Sequence, residues 1–165
     1  MTVGLLIVLL AVAAAGVALR LFMDRAAENR LFPGEDIAIH ALRSPLPENG
    51  FLACPEGYCA VADAMRSPVY PVDAARLYQE WTRLVASEPR VVVLAAEPAV
   101  RRLVVIQRSA LFRFPDIVIA EFVAVDSDHS SLAVYSHARY GRADFGVNRK
   151  RVECWLALLQ SAVAQ

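Results

Sequence analysis

The residues best suited to chemistry lie in one stretch, Tyr135 to Arg151, which reads YSHARYGRADFGVNRKR. Arg149, Lys150 and Arg151 occupy the first turn of the helix that this stretch enters. The helix dipole favours acids at that end, so helix stability does not explain three bases there. Cations around a helix N-terminus attract anions. Arg139, Arg142, Asp144, Asn148, Arg149 and Arg151 therefore form a candidate anion-binding set. The competing reading is a solvated joint in which Asp144 ties to an arginine, because surface charge clusters often hold no ligand. Tyr135, His137 and Tyr140, with Arg139, are candidates for lining a small-ligand pocket between sheet and helices. Ser136 beside His137 invites a hydrolase reading, but there is no Gly-x-Ser-x-Gly elbow and no third member. No residue is assigned a catalytic role.

Cys54 and Cys59 enclose Pro-Glu-Gly-Tyr, and His40 precedes them. A Cys-x4-Cys spacing without a second pair argues against zinc. A disulfide or two free thiols are the open alternatives. Cys154, next to Trp155, reads as a core thiol or a neighbour of the core. His129 with Asp126 and Asp128 is ordinary turn chemistry, without the length or distal glutamate of a calcium loop. Phosphate-cradling and dinucleotide-binding fingerprints are missing, so no cofactor and no metal are expected.

What must position these residues is a chain of 165 residues, 57% hydrophobic, enough for one domain and an anchor. Lys+Arg and Asp+Glu are both 17, and nucleic-acid binding is not expected without a basic excess. Val3 to Leu19 holds no charge and no proline, and Leu21 to Met23 extend the run past Arg20. That approaches the roughly 20 residues of a bilayer span. A cleaved signal peptide is the rival, but no basic residue precedes the run. The expectation is a single-pass membrane protein. Arg20, Arg25 and Arg30 follow the span and place the body in the cytoplasm, whereas the cysteine pair points to an oxidising compartment. The lean is to the arginines.

Residues 1–23 are thus read as the anchor, 24–57 as a Pro/Gly-rich linker and 58–165 as the body. The linker carries Pro33, Pro45, Pro47 and Pro55, with at most a short strand at Ile37 to Leu42. A helix is expected over Val69 to Ser87, capped by Asp73, stapled by Val72 and Leu77, and ended before Pro89. Four strands follow, at Arg90–Ala96, Arg101–Ala110, Asp116–Val125 and Leu132–Tyr140. Alternation in the last suits an antiparallel sheet with one buried face and His137 on the exposed one. The connections are too short for parallel crossovers. Val152, Trp155, Leu156, Leu159 and Val163 mark the apolar face of a final helix from Val147 to Ala164. Asp144 or Asn148 can cap it. The apolar loop Leu111 to Pro115 covers a cavity, folds into the core or touches the bilayer. The architecture is α+β: an antiparallel sheet of about four strands against two helices, behind a transmembrane helix.

The run GRADFGVNRKRVECWLALL, preceded by YSHARY, resembles the C-terminal signature of the domain-of-unknown-function 1499 family. The matching positions are Ser136, Arg139, Gly141, Asp144, Gly146, Val147, Asn148 and Arg149, and FRFPD from Phe112 resembles the family's entry to its third strand. CPEGYCA stands where the family more often has an Asn-Cys-Val-Ser-like segment. The resemblance implies a small bacterial or plastid-type domain, often near membranes, with no established activity; with the expected span it implies a bacterial inner membrane. The function expected is a membrane-anchored, non-enzymatic domain binding an anionic ligand, lipid headgroup or acidic protein partner. A ligand or enzyme pocket, and a structural subunit of a membrane assembly, are the alternatives.

Overall fold

The computed structural model describes residues 2–28 and 37–164. Helix α1 spans Thr2–Glu28. Its segment Gly4–Phe22 has a mean hydropathy of 2.6 and is long and apolar enough to cross a membrane, a test that a signal sequence also passes. Residues 29–36 of the expected linker, with Arg30 and Pro33, lie outside the described residues.

The body contains β1 (Gly50–Cys54), β2 (Met65–Arg66), α2 (Ala74–Ser87), β3 (Val91–Glu97), β4 (Arg102–Arg108), β5 (Pro115–Ala124), β6 (Ser130–Ala138) and α3 (Val147–Val163). The α+β class and the four expected strands β3 to β6 are present. The sheet, however, has six strands in the order β2-β1-β6-β5-β4-β3 and is mixed, not four-stranded and antiparallel. The two added strands come from either side of the linker's expected end. β1 pairs antiparallel with β6, through Gly50↔His137 to Ala53↔Val134. β2 pairs parallel with β1 at Ala53↔Met65 and Cys54↔Arg66. Two rungs are all that the short return from Cys54 permits, and short strands between prolines carry little periodic signal. At Ile39–Ala41 the chain makes a single 3-10 turn where a strand was expected.

Helix α2 begins as its cap dictates. The Asp73 carboxylate accepts from the N–H of Ala75 and Arg76 at 2.8 and 2.9 Å. Val72 and Leu77 are both buried, as a hydrophobic staple requires. Trp81 meets Trp155 edge-on at 5.8 Å, which locks α2 to α3.

Successive strand residues point to opposite faces. Leu103, Val105, Val118, Ala120, Leu132 and Val134 join the core under the two helices. Val104, Ile106, Ile117, Ile119, Ala133 and Tyr135 form a second core with Ile39, Leu52, Cys54 and Val61. The sheet is therefore buried on both faces, not one. The described part of the segment read as linker, residues 37–57, helps to cover the second face. Glu121 fastens it, accepting from the Tyr58 hydroxyl at 2.8 Å and the Ile39 N–H at 3.2 Å.

Candidate functional site: a cleft at the β6–α3 joint

The C-terminal end of β6 and the start of β5 are held side by side by the pair Asp116↔Ala138. Beyond that pair the chain turns through Tyr140 to Gly146 into α3. Gly146 takes the left-handed conformation at φ 80°, which glycine adopts without a side-chain penalty. Phe145 sits in the same region at φ 54°, a conformation bulky residues resist. Asn49 clasps the joint from outside, its side chain donating to the carbonyls of Gly141 at 2.6 Å and Ala138 at 3.2 Å.

Asp144 caps α3 through the backbone. Its carboxylate accepts from the N–H of Gly146 at 3.0 Å and of Asn148 at 2.7 Å. Partial burial works to raise this carboxyl, but those N–H groups outweigh it and hold it below the usual aspartate value. The place that an anion would take at the helix N-terminus is thus filled by the protein's own carboxylate. Asn148 is not the cap. It is fully buried, accepts from the Ser136 hydroxyl at 2.6 Å and donates to the Asn49 carbonyl at 3.0 Å.

Arg151 completes this interior network. Its guanidinium donates to Gln107 at 2.6 Å, Ser136 at 2.9 Å, Asp116 at 2.5 Å and Asn148. Arg151 pairs with Asp116 rather than with Asp144. Burial pushes the Asp116 carboxyl above its ordinary value, Arg151 pulls it back only in part, and Asp144 adds to the rise. Arg149 points elsewhere: it is exposed, lies 4.5 Å over the Phe51 ring and approaches Glu153 at 3.7 Å. Arg139 and Arg142 are exposed on the loop. Of the six expected anion-binding residues, Asn148 and Arg151 are bonded to each other inside the joint, whereas Arg139, Arg142 and Arg149 are exposed.

Of the six, Asp144 lines a cleft. A cavity of about 360 Å³ opens between the β4–β5 loop and the β6–α3 joint, lined by Ser109, Phe114, Asp116, Ala138, Tyr140, Asp144, Phe145 and Val147. The β4–β5 loop is pinned by Ser109, whose N–H donates to the Phe114 carbonyl at 2.9 Å and whose hydroxyl accepts the Phe114 N–H at 3.0 Å. Phe145 is 98% exposed. Of the expected pocket residues, Tyr140 lines the cleft. Tyr135 and His137 do not; they stack on each other at 5.0 Å on the opposite side of the β6 alternation. His137 is half-buried rather than on an open face, because β1 and the segment before it cover that side. Sequence reasoning missed Asn49, Gln107 and the burial of Asp116. A lone Asn-Gly and a polar residue in an apolar strand were the only signals.

Cys54 and Cys59 form a disulfide with their Cα atoms 6.2 Å apart, which excludes them as free zinc ligands. Cys154 is a free, exposed thiol and not part of the core. The helix stripe that buries Trp155 turns its neighbour outward.

The family model described as a protein of unknown function (DUF1499) matches residues 58–159, well over half of the chain. No curated protein matches. Among solved structures, the di-domain aromatase/cyclase BexL from the BE-7585A biosynthetic pathway aligns with TM-score 0.46 and 15% identity. That alignment covers 60% of this chain and 45% of BexL, so the chain spans less than half of that protein. The ZhuI aromatase/cyclase from a Streptomyces species aligns with TM-score 0.33 and 10% identity, over 59% of this chain and 85% of that one. Likenesses this distant bear on neither ligand nor reaction.

Proposed function

The chain belongs to the DUF1499 family, whose function is unknown, and from that premise we propose a membrane-anchored, non-enzymatic domain that binds an apolar or aromatic small molecule in the β6–α3 cleft. One observation carries the reading: the cleft's rim is aromatic, and Phe145 stands 98% exposed at a strained φ of 54°. An exposed phenylalanine in that conformation has no role in the core, and such outliers concentrate at binding sites. Phe114, Tyr140 and Val147 supply the remaining apolar wall. The carboxylates in the cleft are committed, Asp144 to backbone N–H groups and Asp116 to Arg151. The anionic-ligand reading is weaker, since Arg151 is used internally and Arg149 turns to Phe51.

The test is mass spectrometry of small molecules extracted from the purified full-length chain and from Phe145→Asp. Lipid held by α1 is common to both and cancels. An apolar compound enriched in the parent and depleted in Phe145→Asp is the expected result. Equal recovery from the two proteins would remove the cleft as the binding site.

For the body's location we favour the oxidising side of a bacterial membrane. The Cys54–Cys59 bond supports this against the count of Arg20, Arg25 and Arg30, because such bonds persist outside the reducing cytoplasm. Thiol labelling of intact cells before and after reduction reads the bond directly. Cys154 labels in either case, so three thiols labelled by a permeant reagent without reductant in unbroken cells would return the body to the cytoplasm.

A further inference from the structure

We infer that the cleft end of the domain rests on an anionic bilayer surface, so that the cleft opens toward lipid. The inference rests on α1 being a membrane anchor, and on no property of the ligand. Exposed apolar side chains are usually scattered. Here Leu111, Phe112, Phe114, Tyr140, Phe145 and Val147 are all exposed and belong to two loops at one end of the sheet and the helix start beside them. The same segments, residues 109–114 and 139–150, carry Arg113, Arg139, Arg142, Arg149 and Lys150 against Asp144 alone, in a chain whose total charge is +0.

Aromatic and aliphatic groups interspersed with arginines suit the headgroup boundary, where rings enter the acyl region and cations meet lipid phosphates. That mixture argues for a bilayer over a second copy of the chain, whose identical cations would face one another. It also accounts for the base-rich first turn of α3, which the helix dipole disfavours.

The tether permits the contact. The body's first described residues reach the sheet at Glu121, where the Ile39 N–H bonds its carboxylate. Glu121 and Asp116, five positions apart on β5, are separated by about 17 Å. Residues 29–36 can span at most about 29 Å. The anchor's end can therefore lie near either end of the sheet, and surface chemistry selects between them. The opposite end offers Val100 and Val125, exposed on separate turns.

Full-length Leu111→Trp and Val100→Trp proteins, in nanodiscs with brominated acyl chains, compare the two ends. Trp81 and Trp155 are buried, and the parent protein supplies their background. In phosphatidylglycerol discs Leu111→Trp should be quenched about two-fold more than Val100→Trp, and less so in phosphatidylcholine. Phe112→Trp repeats the measurement should Leu111→Trp fold poorly. Equal quenching at both ends overturns the inference. So does a blue-shifted but unquenched Leu111→Trp, which means that protein covers the patch. A chain that fails to enter discs sinks the anchor reading and this one with it. The Phe145→Asp extraction can fail independently, because it reads cleft contents and not the orientation of the domain.

Discussion

Arg149 and Arg151 stand two residues apart in the first turn of α3, and their surroundings differ completely. The Arg151 side chain is 7% exposed and bonded to Asp116, Gln107, Ser136 and Asn148. That of Arg149 is 64% exposed, lies over the Phe51 ring and approaches Glu153. A two-residue step turns a helix by about 200°, so one arginine enters the joint while the other leaves it. The difference separates two regions that are continuous in sequence. The inner region holds strand to helix; the outer one, with Arg142, Phe145 and Val147, is presented to whatever the domain meets. Identical residue types in one motif thus serve architecture and surface.

The largest expected effect falls on the inner region. Arg151→Ala strands Asp116 as an unpaired buried carboxylate, and breaking such a pair costs about 3–5 kcal/mol. Denaturant unfolding should show a midpoint far below the parent's. A loss under 1 kcal/mol would place Arg151 with Arg149 and erase the distinction.

Gly146→Val comes next. Nothing lies within 4 Å of the position its Cβ would take, so only the φ of +80° penalises it. The left-handed conformation costs an L-residue about 1–2 kcal/mol, and β-branching adds to that. Thermal melting reads this directly, and Gly146→Asn should recover most of the loss because asparagine tolerates that conformation.

Asp144→Asn is smaller at neutral pH and is read through pH. The folded carboxyl lies below its usual value, so its contribution is complete above the ordinary aspartate range and is lost as pH falls through that range, around 3.9. The variant should flatten the acid-side fall in stability. Asp116, raised by burial, acts with the opposite sign: its ionisation weakens the folded state as pH rises. An acid limb unchanged by Asp144→Asn would mean that Asp144 does not hold the start of α3.

Arg149→Ala should move stability least, by about 0.5–1 kcal/mol for an exposed cation–π contact. If the domain instead unfolds, the outer region is architecture as well, and the bilayer contact loses one of its cations.

Much of the joint was legible beforehand. Gly146 and Asp144 announce a strand-to-helix turn, and the dipole argument singles out the bases as surplus. It could not tell which base was surplus. Sharing out the first turn between inside and outside depends on the partner strand, because Gln107 and Asp116 reach Arg151 from β4 and β5. The same limit explains the second sheet face. β6 alternates, yet both of its faces are buried, since the cover comes from residues 37–64, whose prolines read as linker. Of the two readings of Cys154, the core thiol fails and the neighbour of the core stands, because proximity to Trp155 does not say which side of the helix a neighbour takes.

The sequence by itself determined the local elements: an apolar N-terminal helix, α2 with its Asp73 cap, the four long strands, and α3 behind a glycine. Each follows from interactions within a few residues, such as a side chain bonding its own helix start or a period matching one face. Only the tertiary structure decided that Gly50–Cys54 joins β6, that Cys54 bonds Cys59, that Arg151 goes inward, and that Phe114, Tyr140 and Phe145 meet around one cleft. Those outcomes depend on burial and on which distant groups arrive as neighbours, and single-chain spacing does not encode either.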